Sequence, residues 1–388
     1  MKRILFICES FEVGGIQTSM INLINLLSNE YSISVFPYKN EGVLKERINS
    51  GVEILDSSWR FEVLASSLKR CKEKGKKFLA FKLFSGVWAK IFDNRLPIFL
   101  AIKHQRKLGK YDLVCAFSHE YGKHDLFSGY LRTALQLTDS SKILSWVHCD
   151  YDFVADPCYN LPYFNRSNGI VGVTKSVKES FIRNVPGVIC PVYYCYNAVD
   201  KEMIRAKSEI PLDVDIKSDG IMCFSATRLS KEKGLVRAIN AFSDIIKTND
   251  VYWYIAGDGP EKDNIVKVIQ NHKLEERVIL LGNRKNPYNF FGRADLYLST
   301  SYEEAAPMVY LEAKVLHVPI YTTRTLSSDE LLDSTIDYIS DNNIDSMKAV
   351  FANATSSKAN LIKRKKMIRD ESFNDFIIRQ FSSWTGDK

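Results

Sequence analysis

The segment 301–312 contains two carboxylates, Glu304 and Glu312, eight residues apart around a proline and an apolar run. The residues just before it have the pattern of a buried strand, and a helix is predicted to begin near Pro307. Glu304 then ends a loop, and Glu312 lies one to two turns into the helix. Carboxylates accept hydrogen bonds from hydroxyls, and a helix N-terminus offers free N–H groups to phosphate. The pattern suits a ligand that carries a sugar, a diphosphate and a ribose.

Two cations, Arg228 and Lys233, lie in a loop between a predicted strand at 221–225 and a predicted helix at 235–246. Arginine offers a planar fork of donors and lysine a compact charge, so the pair can hold a diphosphate. The same charges would stabilise a departing nucleoside diphosphate. Solvated surface charge is the alternative interpretation, and Lys231 in the same loop is assigned to it.

Gly14-Gly15 and His148 each follow a predicted strand in the first half of the chain. Adjacent glycines allow a sharp turn and a close approach of backbone N–H groups to a phosphate or sugar. A histidine at the carboxyl end of a strand can meet a ligand, because open α/β sheets bind ligands at that edge. The alternatives are a plain strand-to-helix turn for the glycines and a structural role for the histidine.

The composition excludes several classes of site. The eight cysteines form no C-x-x-C pair, which is against zinc and disulfide frameworks and favours a reducing, cytoplasmic compartment. The net charge of +7 does not by itself indicate a nucleic-acid partner. Two D-x-D triplets, at 150–152 and 213–215, are interpreted as loops, and no metal site is predicted.

Apolar strand-like runs alternate with helical periodicity in both halves of the 388-residue chain. This alternation predicts an α/β protein with two doubly wound, Rossmann-like domains. The polar segment 208–220 contains a proline and no helical stripe, so we place the linker there. The predicted domains are 1–212 and 213–371.

Residues 68–92 combine eight lysines and arginines with a single acid, Glu73, and with apolar residues at roughly helical spacing. Two interpretations remain open for this segment. It is a basic helix that docks on an anionic membrane surface, or a domain helix with a solvated lysine face and its aromatic residues in the core.

Several motifs together resemble those of the retaining glycosyltransferases of the GT-B fold, a large family that includes hexosyltransferases of bacterial cell-surface glycans. The matching segments are Gly14-Gly15, Trp146-Val147-His148, Asn197-Ala198-Val199-Asp200, residues 228–234, Gly257-Asp258-Gly259-Pro260 and residues 304–313. The resemblance implies two domains facing a cleft, with the acceptor on 1–212, the donor on 213–371, and a C-terminal helix at 372–388 that packs back on the first domain.

The resemblance also implies roles for individual residues. The residues that would act in catalysis are His148, Glu304, Arg228 and Lys233. The donor would be bound by Gly14, Gly15, Arg228, Lys233, Glu304, Pro307, Met308, Val309 and Glu312, with Glu304 on the sugar and Glu312 on the ribose. The donor is expected to be a UDP- or GDP-linked sugar that serves as substrate, with no cofactor and no metal. The acceptor is expected to be a glycan or a polyprenyl-linked glycan of capsule, exopolysaccharide or lipopolysaccharide assembly.

Three departures from the family pattern concern donor choice. Ala226-Thr227 replaces a small residue followed by glycine, Ala305-Ala306 replaces Gly-Phe, and His317 replaces a glycine. Two other functions stay open: a nucleotide-sugar epimerase of the same fold, and a non-catalytic partner subunit of a transferase. The expected location is the cytoplasm, with peripheral binding to the inner face of the cell membrane if residues 68–92 dock there.

Overall fold

The computed structural model describes residues 1–217, 219–369 and 373–386. The chain divides into two compact units. Unit 1 contains Met1–Val199 together with Phe373–Lys388, and unit 2 contains Asp200–Ser372.

Unit 1 contains a parallel sheet whose strand order is β3-β2-β1-β5-β7-β8-β9, and β4 pairs separately with β6. Its strands are β1 (Arg3–Cys8), β2 (Ser32–Pro37), β3 (Glu53–Ile54), β4 (Gly109–Tyr111), β5 (Leu113–Ala116), β6 (Thr138–Ser140), β7 (Ile143–Val147), β8 (Gly169–Gly172) and β9 (Val192–Tyr194). Helices connect them: α1 (Gly15–Leu27), α2 (Trp59–Leu64), α3 (Leu68–Lys74), α4 (Lys76–Ile91), α5 (Arg95–Lys103), α6 (Tyr130–Leu137), α7 (Leu161–Phe164) and α8 (Lys175–Asn184).

The sheet of unit 1 is buried, and this follows from its sequence. β1, β5 and β7 are apolar runs without alternation, which is the pattern of parallel strands covered on both faces. The chain runs from β1 outward to β2 and β3, and then returns to the other side of β1 with β5. Such a reversal opens a crevice at the carboxyl ends of β1 and β5, which is where sheets of this kind bind ligands.

Unit 2 repeats the architecture with the strand order β12-β11-β10-β13-β14-β15 and parallel pairing throughout the described strands. Its strands are β10 (Ile221–Ala226), β11 (Val251–Ala256), β12 (Val278–Gly282), β13 (Leu296–Ser299), β14 (Ile320–Thr323) and β15 (Tyr338–Ser340). Its helices are α9 (Lys201–Ser208), α10 (Leu235–Thr248), α11 (Lys262–Asn271), α12 (Tyr288–Phe291), α13 (Met308–Val315), α14 (Ser328–Leu331), α15 (Ile344–Ala354) and α16 (Lys358–Lys365).

Here the reversal of strand order lies between β10 and β13. The core beneath it contains Trp253 and Phe242, and the ring of Phe242 stacks on Phe351 with centroids 3.9 Å apart. The loops that follow β10 and β13 therefore leave a packed sheet side by side. They are the loops that carry Arg228, Lys233 and Glu304.

The boundary between the units lies before α9, whereas the sequence placed the linker at 208–220. The reason is the packing of α9 on α12 and α13 of unit 2. The predicted linker residues are also hydrogen-bonded into unit 2, because Arg293 donates to the Ser208 carbonyl at 2.9 Å and Asn289 to the Pro211 carbonyl at 3.2 Å. The polar, proline-containing segment 208–220 is therefore part of the surface of unit 2 and not a linker between the units.

The C-terminal helix α17 (Asn374–Thr385) lies with unit 1. Its Phe381 is buried, with its ring 6.3 Å from that of Phe6 in β1 and 6.1 Å from that of Trp146 in β7. Trp384 meets Trp146 edge to face at 5.8 Å. The helix thus fills one face of the unit 1 sheet, although it comes from the far end of the chain.

Residues 68–92 form two helices, α3 and α4, where the sequence suggested one. Gly75 separates them, with a φ of 116° that other residues rarely adopt. Among the described residues, no helix is both long and apolar enough to cross a membrane.

We expect Phe381→Ala to lower the free energy of unfolding of unit 1 by about 3–5 kcal/mol, because it removes a large buried ring from the core. Denaturant unfolding followed by tryptophan fluorescence would measure the change. Arg379→Ala, on the exposed side of the same helix, should change the value by less than about 0.5 kcal/mol. Equal, small effects of both substitutions would show that α17 is not part of the unit 1 core.

Candidate functional site

Lys233 and Glu304 form an ion pair in unit 2, with the Lys233 Nζ 2.6 Å from the Glu304 Oε1. Ser301 Oγ donates to the same carboxylate oxygen at 2.8 Å. The two charged side chains are 23% and 20% exposed, so they are accessible but held in place. The loops after β10 and β13 therefore bring together two of the predicted site residues that are 71 positions apart in the chain.

The loop that carries Glu304 is anchored by residues that the sequence analysis did not single out. Arg237 in α10 donates to the Thr300 carbonyl at 3.0 Å, and its guanidinium lies 3.7 Å above the ring centre of Tyr302. Partial burial lowers the pKa of Arg237. Thr300 Oγ1 in turn donates to the Lys233 carbonyl at 2.9 Å, and Asn342 donates to the Tyr302 carbonyl at 2.9 Å. These bonds tie the two charged loops to each other.

Two glycines allow these loops to approach closely. Gly234 begins α10 with a φ of 65°, and a Cβ there would lie 2.3 Å from the Thr300 carbonyl oxygen. Gly257 has a φ of 147°, and a Cβ would lie 1.8 Å from the carbonyl oxygen of Thr227. Any side chain at either position would force the loops apart. The Gly-Asp-Gly-Pro motif thus supports the backbone beside Arg228.

Arg228 is exposed and, within the described residues, makes no hydrogen bond or ion pair through its side chain. It shares a loop with Lys233, and its charge helps to lower the pKa of Glu232 after the Ser230 hydrogen bond that is the main cause. A guanidinium without a protein partner at the carboxyl edge of a sheet can accept a diphosphate without first breaking a contact.

Glu312 lies in α13 and accepts a hydrogen bond from the Tyr288 hydroxyl at 2.9 Å. Tyr297 in β13 lies between this region and β10, where its hydroxyl donates to the Ala226 carbonyl at 3.0 Å. Burial raises the pKa of Tyr297, and the negative charges of Glu312 and Glu304 raise it further. Both carboxylates are therefore near enough to Tyr297 to affect its pKa, so Glu304 and Glu312 lie around the same part of unit 2.

The N-terminus of α13 lies between the two carboxylates. Pro307 is its extended N-cap residue, and Met308 and Val309 are the first helical residues. Among the residues that the structure describes, no side chain makes a capping hydrogen bond at this end of the helix. The first N–H groups of a helix have no partner within the helix, so they can donate to an anionic or hydroxylated ligand.

The predicted residues of unit 1 form a second group. His148 Nε2 donates to the Phe117 carbonyl at 2.7 Å, which leaves Nδ1 as an acceptor when the ring is neutral. Burial lowers the pKa of His148 to about 4, so the ring is neutral near pH 7. A Cβ on Gly15 would meet nothing within 4 Å, and one on Gly14 would meet only the flexible side chain of Gln17. The fold of unit 1 itself therefore does not require these glycines.

A polar cavity of about 660 Å³ lies in unit 1, and the sequence analysis did not predict it. It contains Glu9, which directly follows β1, together with Lys39, which follows β2. Its lining residues are Glu9, Glu12, Lys39, Glu41, Ala65, Ser67, Lys69, Arg70, Glu73 and Phe127. Lys39 pairs with Glu12, and Arg70 pairs with Glu41 at 2.6 Å.

Glu9 differs from the other acids of this cavity. It is half-buried, and among the described residues its carboxylate has no hydrogen-bond partner. Burial raises its pKa, and Lys39 partly opposes that shift. The signal that could have found it is its position: an acidic residue one place after a buried strand, at the edge where such sheets bind ligands.

Both D-x-D triplets have structural partners. Asp152 pairs with Arg183 at 2.5 Å, and Asp213 pairs with Arg284 at 2.6 Å. Across residues 1–217, 219–369 and 373–386, no three histidines, cysteines or acids are grouped in a way that could hold a metal ion.

Comparison with known proteins finds similarity to glycosyltransferases in the second unit. Residues 206–371 match the family model of glycosyl transferases group 1, which lies within unit 2. The O-antigen biosynthesis glycosyltransferase WclY of Escherichia coli is 30% identical over 140 residues, which are 36% of this chain and 39% of WclY. The chain thus spans less than half the length of this curated relative.

Solved structures resemble the whole chain. Anabaena Alr3699/HepE in complex with UDP and glucose has a TM-score of 0.65 and 16% identity, covering 99% of this chain and 100% of that one. A mutant of TarM from S. aureus, in complex with Fondaparinux, alpha-GlcNAc-glycerol and UDP, has a TM-score of 0.70 and 14% identity with the same coverage. At such identities the likeness establishes the fold alone. We conclude that the chain has the GT-B fold and that its second unit contains a glycosyl transferases group 1 region at residues 206–371.

Proposed function

We propose that this protein transfers a hexose from a UDP- or GDP-linked donor to a glycan or polyprenyl-linked acceptor during assembly of a bacterial cell-surface polysaccharide. The observation that carries the proposal is the Lys233–Glu304 ion pair, together with the exposed Arg228 in the same loop as Lys233, for which the described residues provide no hydrogen-bond or ion-pair partner. This arrangement lies at the strand-order reversal of unit 2. The group 1 region of unit 2 supports it, as does the similarity to WclY, an O-antigen biosynthesis glycosyltransferase.

In this proposal the donor lies across unit 2. Arg228 and Lys233 hold the diphosphate, because both present positive charge where β10 ends. Glu304 accepts hydrogen bonds from hydroxyls of the sugar, and N–H groups of Met308 and Val309 assist. Glu312 accepts hydrogen bonds from the ribose hydroxyls. Holding these groups in place before the donor binds lowers the cost of reorganisation during the reaction.

The reaction proceeds with retention of configuration at the transferred carbon. The bond between the sugar C1 and the diphosphate oxygen breaks, and a bond from C1 to the acceptor oxygen forms on the same face. The acceptor's hydroxyl proton passes to the departing diphosphate. Arg228 and Lys233 stabilise the negative charge that develops there. His148, whose ring is neutral, accepts a hydrogen bond from a substrate hydroxyl through Nδ1.

Unit 1 binds the acceptor in this proposal, and Glu9 is its main contact. A carboxylate that is half-buried and has no protein partner is costly unless a ligand supplies hydrogen-bond donors. Sugar hydroxyls are such donors. The neighbouring Lys39 and Arg70 suit an acceptor that also carries phosphate, although both are engaged with Glu12 and Glu41.

We expect Arg228→Ala to weaken UDP binding by roughly 10- to 100-fold, since a charge-assisted contact to phosphate is worth about 1.5–3 kcal/mol. Isothermal titration calorimetry would measure the dissociation constant. Lys231→Ala removes a cation from the same loop and should leave binding within about twofold. If both variants bind UDP equally well, the diphosphate does not lie at Arg228.

Glu312→Ala should abolish turnover or weaken it strongly, because the ribose would lose its acceptor, while the protein stays folded. Transfer of radiolabelled sugar from donor to acceptor measures this, and circular dichroism checks the fold. Glu303→Ala, an exposed neighbour, serves as the control. Near-normal turnover of the Glu312 variant would contradict the assignment.

Donor consumption by the wild type without any acceptor would favour an epimerase, and failure to bind any nucleotide sugar would favour a non-catalytic subunit.

Glu9→Gln should raise the KM for the acceptor roughly tenfold, the worth of one hydrogen bond to a charged group, and leave UDP affinity unchanged. Initial rates at varied acceptor concentration, with the acceptor that supports turnover, test this. Glu46→Gln, exposed and outside the cavity, should match the wild type. An unchanged acceptor KM, or a loss of UDP affinity, would rule out an acceptor role for Glu9.

A further inference from the structure

Helix α4 presents a large apolar face to solvent. Leu83 is 50% exposed, Phe84 40%, Val87 58% and Ile91 65%. At about 100° per residue these four positions fall on one side of the helix. Phe92, which follows the helix, is 58% exposed. A contiguous exposed patch of large apolar side chains is unusual on a protein surface and marks a binding surface.

The opposite side of α4 already supplies the contacts that hold the helix to unit 1. Phe78 and Phe81 each pack on Trp59 with ring centroids 5.5 Å apart, and Ser85 and Ala89 are buried. Helix α4 is therefore apolar on two sides, and only one of these sides packs on the rest of unit 1. Its orientation is set by the aromatic contacts, so the exposure of the second side follows from the fold.

Lysines lie at both ends of the exposed face. Lys76 and Lys77 begin the helix and Lys90 lies in its last turn, and all three are exposed. In the part of the chain that the structure describes, none of them makes an ion pair, although Lys77 lies 5.3 Å from the ring centre of Trp59.

Three other cations of the segment are paired or hydrogen-bonded within unit 1. Arg70 and Lys74 pair with Glu41, and Lys82 is partly buried and donates to the Val63 carbonyl at 3.2 Å. Burial lowers the pKa of Lys82. Within α4 itself, the remaining positive charge therefore lies at the two ends, and Lys69 and Lys72 add exposed charge in the preceding helix α3.

We propose that this α4 face, residues 76–92, docks on the surface of an anionic lipid bilayer. The apolar side chains between the lysines would enter the boundary between headgroups and acyl chains, and the lysines would meet lipid phosphates. An apolar stripe bounded by lysines is complementary to such a surface, because a bilayer offers negative charge along the whole length of the helix. The proposal needs no substrate and stands independently of the transferase activity.

The test is cosedimentation of the full-length protein with vesicles of phosphatidylcholine alone or mixed with phosphatidylglycerol. We expect binding to the mixed vesicles that falls with added salt. The double variant Val87→Asp/Ile91→Asp should lose at least roughly tenfold in partitioning, because it places charge on the face that must enter the bilayer. Lys76→Glu/Lys90→Glu should lose a similar factor on mixed vesicles.

Two matched control variants test whether a loss of vesicle binding is specific to the α4 face or follows from any loss of apolar surface or positive charge. Ile189→Asp replaces another exposed apolar residue of unit 1, and Lys262→Glu/Lys267→Glu reverses two exposed charges of unit 2. Both should bind vesicles like the wild type. The proposal is overturned if the wild type stays in the supernatant with mixed vesicles, or if the Val87/Ile91 variant pellets as well as the wild type. It is also overturned if sedimentation velocity shows that this variant instead breaks a dimer, since the face would then bind a second copy.

Discussion

The parallel pairing of β10 with β13 decides where the charged residues of unit 2 lie. Cys223 pairs with Leu296 and Phe224 with Tyr297, so the two strands end at nearly the same level. Because the chain first builds β11 and β12 on one side of β10, β13 joins on the other side and no strand separates the two loops. Backbone hydrogen bonds and a buried core enforce this register. The chemistry of the site is therefore determined by the side chains in the loops that follow these two strands.

The Lys233–Glu304 contact illustrates how such a site is prepared. A partly exposed ion pair contributes little to stability, because water solvates both charges well. The ion pair instead helps to hold the two side chains in position. Arg237 and Thr300 already connect the two loops, so a ligand need not order them. In the proposed reaction a diphosphate shares Lys233 with Glu304, and Arg228 is available without breaking any described contact. Preorganised charge of this kind is the main source of rate enhancement when no protein nucleophile takes part.

The two units have the same architecture but different contents at the corresponding edge of the sheet. Unit 2 offers cations and a free helix N-terminus, whereas unit 1 offers a neutral His148 and a cavity lined with acids and bases around Glu9. The family model matches only residues 206–371, within unit 2. In the proposed function, this division corresponds to donor binding on unit 2 and acceptor binding on unit 1. The exposed face of α4 adds a second surface to unit 1 that the sheet does not determine.

Local sequence patterns were enough to predict the fold class and to single out candidate site residues, because buried parallel strands and strand-end loops leave local signatures. Arg228, Lys233 and Glu304 were predicted from position and residue type alone, and the structure brings the last two into contact. Other features depend on tertiary packing. The position of Glu9 one place after a strand is visible in the sequence, but the partial burial of its carboxylate depends on segments that are distant in the chain. The two apolar sides of α4 have the same helical periodicity, so no local pattern tells which side packs on Trp59 and which meets solvent. Burial depends on which segments meet in space, and neighbouring residues alone do not encode that.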